Sequence, residues 1–176
     1  MMESPIVIVI NIFILVLLGT FAYAGFHGAP WFPTRKKDVT RFLTLADIKF
    51  GQKMYDLGCG DGRLICAAAK VGADAYGLEL SLFPFILANI RRYFNKDKER
   101  IKISYQNIWN TNLRDADVIY VWLMPGVMTR LQKKFENELK SGTKIVTYCW
   151  PIKEWRPIKI DKVLGSPNLY LYEVKN

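Results

Sequence analysis

The chain has 176 residues, 25 of them Lys or Arg against 16 Asp or Glu, for a net charge of +9. That is room for one domain with a real core. Three cysteines (Cys59, Cys66, Cys149) and a single histidine, His27, are too few and too scattered for a disulfide scaffold, a zinc site or a nucleophilic triad, so no metal is expected. The basic excess reads first as a solvated face, then as attraction to anionic lipid headgroups, with nucleic acid behind both.

Ile6 to Gly25 carries no charge, and its clearly polar members are Asn11 and Thr20. Twenty residues at about 1.5 Å rise span roughly 30 Å, the hydrocarbon thickness of a bilayer, which predicts a transmembrane helix. The Ala22-Tyr23-Ala24 triplet resembles a cleavage site, but the chain before residue 27 holds Glu3 as its one charged side chain and lacks the basic start of a signal peptide. Arg35, Lys36, Lys37 and Arg41 come soon after the helix, and the positive-inside rule places the C-terminal domain of this single-pass membrane protein in the cytoplasm. The expected organisation is an anchor over 1–26, a linker and pre-motif segment over 27–37, and a domain over 38–176.

In the linker, Pro30 and Pro33 favour an extended path. Asp38 is expected to cap a helix whose buried face is Val39, Phe42, Leu43 and Ala46. Strands are expected at Lys53–Asp56, Ala73–Leu80, Ile101–Gln106, Val118–Leu123 and Lys144–Cys149. Between them come helices at Arg63–Lys70, at about 82–94 after a Ser81 cap, and along Met128, Leu131, Phe135 and Leu139. Ile158–Val163 and Leu169–Val174, joined by a Gly-Ser-Pro-Asn turn, should be antiparallel. The pattern describes an α/β Rossmann-like, doubly wound seven-stranded sheet with a C-terminal antiparallel hairpin.

Chemistry concentrates in Asp56-Leu57-Gly58-Cys59-Gly60-Asp61-Gly62, between the first strand and its helix. Glycines there allow a sharp turn and leave the backbone bare for a ligand. The Gly-x-Gly-x-Gly spacing departs from the dinucleotide Gly-x-Gly-x-x-Gly. Glu79 closes the next strand, where a carboxylate can accept from the vicinal hydroxyls of a ribose. Asp61 reads either as a helix cap or as a neighbour of the ligand's amino-acid part. Trp31, Tyr120, Trp122 and Trp150 sit at strand ends or in the pre-helix segment, where aromatic faces could line a pocket as readily as a core.

Asp-Leu-Gly-Cys-Gly-Asp-Gly-Arg with an acid at the next strand end resembles motif I and its partner in class I S-adenosylmethionine-dependent methyltransferases. Over roughly residues 28–155 the chain is similar to the lysine methyltransferases of the mitochondrial ATP synthase c subunit and adenine nucleotide translocase, with their archaeal relatives. Pro30-Trp31-Phe32-Pro33-Thr34 looks like that family's Pro-aromatic-Val-Pro-Thr segment, and the family's mitochondrial members also carry an N-terminal hydrophobic segment. The resemblance implies S-adenosylmethionine as cofactor and S-adenosylhomocysteine as product, held by Asp56, Gly58, Cys59, Gly60, Asp61, Gly62, Glu79, Leu80, Asn107, Ile108 and Trp109. Asn107 stands where the family typically has Asp, but its carbonyl oxygen can still accept from an adenine amino group. Trp31, Pro33, Thr34 and Trp122 become pocket candidates for a lysine on a membrane or membrane-proximal protein. Methylation of a lipid headgroup or quinone, and a tethered module that binds cofactor without turnover, are the rival readings. Nucleic acid is not expected, because Trp122-Leu123-Met124-Pro125 lacks the Asn/Asp-Pro-Pro-aromatic signature of base methylation.

Overall fold

The structure is a computed structural model that describes residues 4–27 and 31–175. Pro30 of the pre-helix segment and the side chain of His27 therefore lie outside the described residues. Among the described residues five α-helices, α1 (Pro5–His27), α2 (Lys36–Ala46), α3 (Arg63–Lys70), α4 (Leu82–Tyr93) and α5 (Pro125–Glu138), accompany seven strands. The strands are β1 (Lys53–Leu57), β2 (Asp74–Glu79), β3 (Ile101–Tyr105), β4 (Val118–Val121), β5 (Lys144–Tyr148), β6 (Lys159–Asp161) and β7 (Leu169–Glu173).

They form one sheet in the order β3-β2-β1-β4-β5-β7-β6. The first five are parallel, and β7 runs antiparallel to both β5 and β6. Alternation along β1 shows how two layers arise: Met54 joins a core with Phe42, Leu64 and Ile65, whereas Tyr55 and Leu57 join a second with Leu131 and Phe135. Strand order reverses between β1 and β4, so the crevice for a ligand opens at their carboxyl ends. β4 stops at Val121, two residues short of expectation, because Trp122 and Leu123 leave the ladder to line that crevice.

Two expected caps are replaced by other partners. Asp38 lies inside α2 and makes no cap; its fully buried carboxylate instead accepts from Arg41 and from the Tyr148 hydroxyl at 2.7 Å. Leu45 rather than Leu43 is the fully buried leucine of that helix. Ser81 occupies the N-cap of α4 without a side-chain cap bond. The Glu79 carboxylate accepts from the N–H groups of Leu80 and Ser81, and Thr20 of α1 accepts from that of Leu82 at 3.3 Å.

α1 is long and apolar enough to cross a membrane. Its residues up to 16 are exposed, and Leu17, Thr20, Phe21 and Ala24, at i, i+3, i+4 and i+7, turn toward the domain.

Burial alone would raise the carboxyl of Asp38, but the Tyr148 hydroxyl and Arg41 guanidinium outweigh it and hold it below the usual range. Asp38→Ala should cost about 2 kcal/mol by leaving the Tyr148 hydroxyl without its acceptor and Arg41 paired with Asp161 alone of its two carboxylates, a fall of roughly 6 °C in Tm. A lowered carboxyl stabilises above its unfolded value near pH 4 and loses that contribution as pH falls through the folded value. The Tm gap between wild type and Asp38→Asn should therefore narrow as melting is repeated from pH 6 down to pH 3.

Candidate functional site

The crevice is a cavity of about 380 Å³, within the size range of small-molecule sites. Each wall comes from a different part of the chain. Asp56 is the last residue but one of β1, and Gly58, Cys59, Gly60 and Asp61 lie in the loop after that strand. Glu79 ends β2 and Leu80 follows it, Asn107 and Ile108 come after β3, and Trp31, Pro33, Thr34, Tyr120, Trp122 and Trp150 are among the other lining residues.

Glu79 ties three of these pieces together. One oxygen accepts from Gly60 N at 2.8 Å, and the other from Leu80 N and Ser81 N at 2.8 and 2.7 Å. A carboxylate offers roughly four acceptor positions, so one remains, on the oxygen that faces Gly60. The expectation that Glu79 accepts from both hydroxyls of a diol thus meets a carboxylate already engaged by the backbone.

Asp61 is equally committed. It accepts from Arg63 and Arg91 side chains at 2.7 and 2.6 Å, and Arg63 reaches on to the Thr34 carbonyl at 2.8 Å. Burial would raise its carboxyl, but the two guanidiniums hold it below the usual range. Arg63 therefore clips the segment before α2 onto the glycine loop.

Asp56 is the opposite case. It is 3% exposed, and its carboxyl makes no hydrogen bond among the described residues. Burial, then the charges of Glu79 and Asp61, push its carboxyl well above the usual range. A cation placed in the cavity would restore its charged form.

At Gly60 (φ +55°), an added Cβ would lie 2.6 Å from Trp31 Nε1, so only glycine lets the indole approach. That indole nitrogen is itself buried, without a hydrogen-bond partner among the described residues. Trp31 packs between Phe21 of α1 and Phe83 of α4, at centroid distances of 6.5 and 6.0 Å. On the facing wall, Trp122 lies edge-on to Phe32 and Tyr148 at 5.5 and 4.6 Å. The hydroxyls of Tyr120 and Thr34 share a hydrogen bond of 3.2 Å. Burial pushes the Tyr120 hydroxyl and the Cys59 thiol well up, so neither ionises to act as base or nucleophile near neutrality.

Two expected residues stand outside the cavity lining. Gly62 (φ +73°) begins α3, where a Cβ would come 3.0 Å from Ala88, so its bareness serves the approach of α4. Trp109 packs against the α5 side of the core, with the Arg130 guanidinium 4.0 Å over its ring. Asn107 does line the cavity, with its Oδ1 accepting from Trp109 N at 3.1 Å. Sequence reasoning missed Ala24, a lining residue from the apolar helix, and Cys149, whose left-handed backbone (φ +75°) turns the chain from β5 to Trp150. The i, i+3, i+4, i+7 spacing of Leu17, Thr20, Phe21 and Ala24 was the available signal for the first; nothing local marks the second.

The ANTKMT methyltransferase domain matches residues 56–159. A protein-lysine N-methyltransferase of Saccharolobus islandicus (strain REY15A) is 36% identical over 152 residues, covering 82% of this chain and 93% of that protein. The adenine nucleotide translocase lysine N-methyltransferase of Mus musculus is 30% identical over 82% of this chain, which spans 63% of the mouse protein. Among solved structures, an RNA methyltransferase from Salinibacter ruber in complex with S-adenosyl-L-homocysteine superposes with a TM-score of 0.78 at 26% identity, covering 81% of this chain and 93% of that one. With the glycine loop and crevice where such a fold places its ligand, the chain belongs to the ANTKMT methyltransferase domain family and is an S-adenosylmethionine-dependent methyltransferase.

Proposed function

We propose that this enzyme methylates the ε-amino group of a lysine on a protein embedded in or lying against a membrane, from the cytoplasmic face. The observation that carries the reading is the wall of the cavity: Ala24, near the end of the apolar helix, borders the same space as Asp56, Glu79 and Trp122. A target reaching that space is therefore at the root of the anchor. The names of the Saccharolobus and mouse relatives support lysine as the acceptor. The basic run Arg35, Lys36 and Lys37 supports the cytoplasmic side.

The residues present suit the cofactor. Gly58, Cys59 and Gly60 would lie along it, Glu79 would take a ribose hydroxyl on its remaining acceptor position, and Leu80, Asn107 and Ile108 would border the adenine. Asp56 has the unmet demand for positive charge that a sulfonium or ammonium group satisfies, while Asp61 acts through Arg63 and Arg91. Gly62 and Trp109 support this site from behind rather than touch the ligand.

Bound S-adenosylmethionine supplies an electrophilic methyl group on a positively charged sulfur. What the chain must add is alignment and a neutral amine. Apolar walls disfavour the ammonium form by desolvation, and the faces of Trp31, Trp122 and Trp150 hold the residual cation. Tyr120, kept protonated and fixed by Thr34, offers a hydrogen bond rather than a base.

Incubating the full chain, in membranes that hold its targets, with radiolabelled cofactor tests the acceptor. Label should appear in protein, as methyl-lysine after hydrolysis; label extracted with lipid, or in RNA, as the +9 charge and the name of the Salinibacter neighbour would favour, would sink the lysine reading. Trp122→Ala should lower transfer at least tenfold, roughly 1.4 kcal/mol, while binding of S-adenosylhomocysteine measured by calorimetry changes little.

Asp56→Asn should separate stability from binding. A carboxyl raised on folding destabilises the folded state as pH climbs from its unfolded value near 4 through its folded value. Without cofactor, the variant should melt above wild type at pH 7, by a few degrees for about 1 kcal/mol, and the two should converge toward pH 4. With cofactor, its gain in Tm should be smaller than that of wild type.

A further inference from the structure

The free length of α1 falls short of a bilayer. Residues 5–16 are exposed, about 18 Å of helix, against a hydrocarbon thickness of about 30 Å. From Leu17 onward one face of the same apolar helix packs on the domain, with Thr20 at the start of α4 and Phe21 at 6.4 Å from Phe83, while Leu18, Tyr23 and Phe26 stay exposed. Resting on the reading that α1 spans the membrane, the last two turns of its span carry part of α4 to the level of the lipid headgroups.

The surface of α4 suits that depth. Phe83, Ile86, Ile90 and Phe94 follow one another at three- and four-residue spacing and are 39, 40, 50 and 78% exposed, with Tyr93 beside them at 70%. They form a continuous apolar stripe that leads away from the contact with α1. At the far end of this stripe the chain carries Arg92, Lys96 and Lys98, the charge that complements anionic headgroups.

We propose that the outer face of α4 is a second membrane contact, seated at the boundary of headgroups and acyl chains in an anionic leaflet beside α1. The helix that meets lipid also sends Arg91 to the carboxylate and carbonyl of Asp61, so the bilayer and the glycine loop are braced by one element.

Photo-crosslinking of the purified full chain in vesicles tests this, with p-benzoylphenylalanine placed in turn at Val9 on α1, Ile90 on α4 and Lys133, an exposed residue of α5. The vesicles are phosphatidylcholine alone or phosphatidylcholine with phosphatidylglycerol. Lipid adducts are expected at Val9 in both and at Ile90 about fivefold or more strongly in the anionic vesicles, the effect of a single basic residue at a charged surface, with none at Lys133. Lipid adducts at Val9 without any at Ile90 would overturn the α4 contact and leave the anchor standing. An Ile90 adduct to a second copy of the chain would overturn it in favour of a protein interface, and one of equal yield in both vesicles would remove the anionic requirement. No adduct at Val9 would instead overturn the membrane-spanning reading, and this contact with it.

Discussion

The carboxylate of Glu79 is the joint on which the working end of the molecule turns. It stands at the end of β2 and accepts from the loop after β1 and from the first N–H groups before α4. Three backbone donors on one buried anion make charge-assisted hydrogen bonds that fix the loop, the strand end and the helix start relative to one another. Every other wall of the cavity is placed against that fixed corner.

The remaining acidic groups divide the electrostatic work. Asp61 is neutralised by two arginines, one from the start of α3 and one from α4, and through Arg63 it also fastens the segment at Thr34. Asp56 is left with neither donor nor counter-charge in the same small space. Two of the three carboxylates are thus satisfied within the fold, and burial beside them favours the uncharged form of the third. Trp31, Trp122 and Trp150 make part of the remaining wall aromatic.

The apolar helix is itself part of this arrangement. Thr20 serves as an acceptor for α4, Phe21 backs Trp31, and Ala24 reaches the cavity. Trp31 in turn occupies the space that Gly60 leaves empty. Displacing α1 would therefore disturb the capping of α4 and the packing behind the glycine loop together.

Much of this was legible in the chain itself. Arg63–Lys70 is a helix with the bounds that its pattern predicts, seven strands fall in the expected order, and the glycine loop announces a ligand, because periodicity and turn chemistry are local properties that survive without the fold. What the sequence could not say is which distant groups meet. The insertion of β7 between β5 and β6, the replacement of a Ser81 cap by Glu79 and Thr20, the burial of Asp38 under Tyr148 and the exclusion of Gly62 and Trp109 from the cavity all depend on contacts between separated segments. Local sequence determined the elements and the kind of chemistry. Tertiary packing alone decided the partners, since a hydrogen bond or a close approach is specified by three-dimensional distance and not by spacing along the chain.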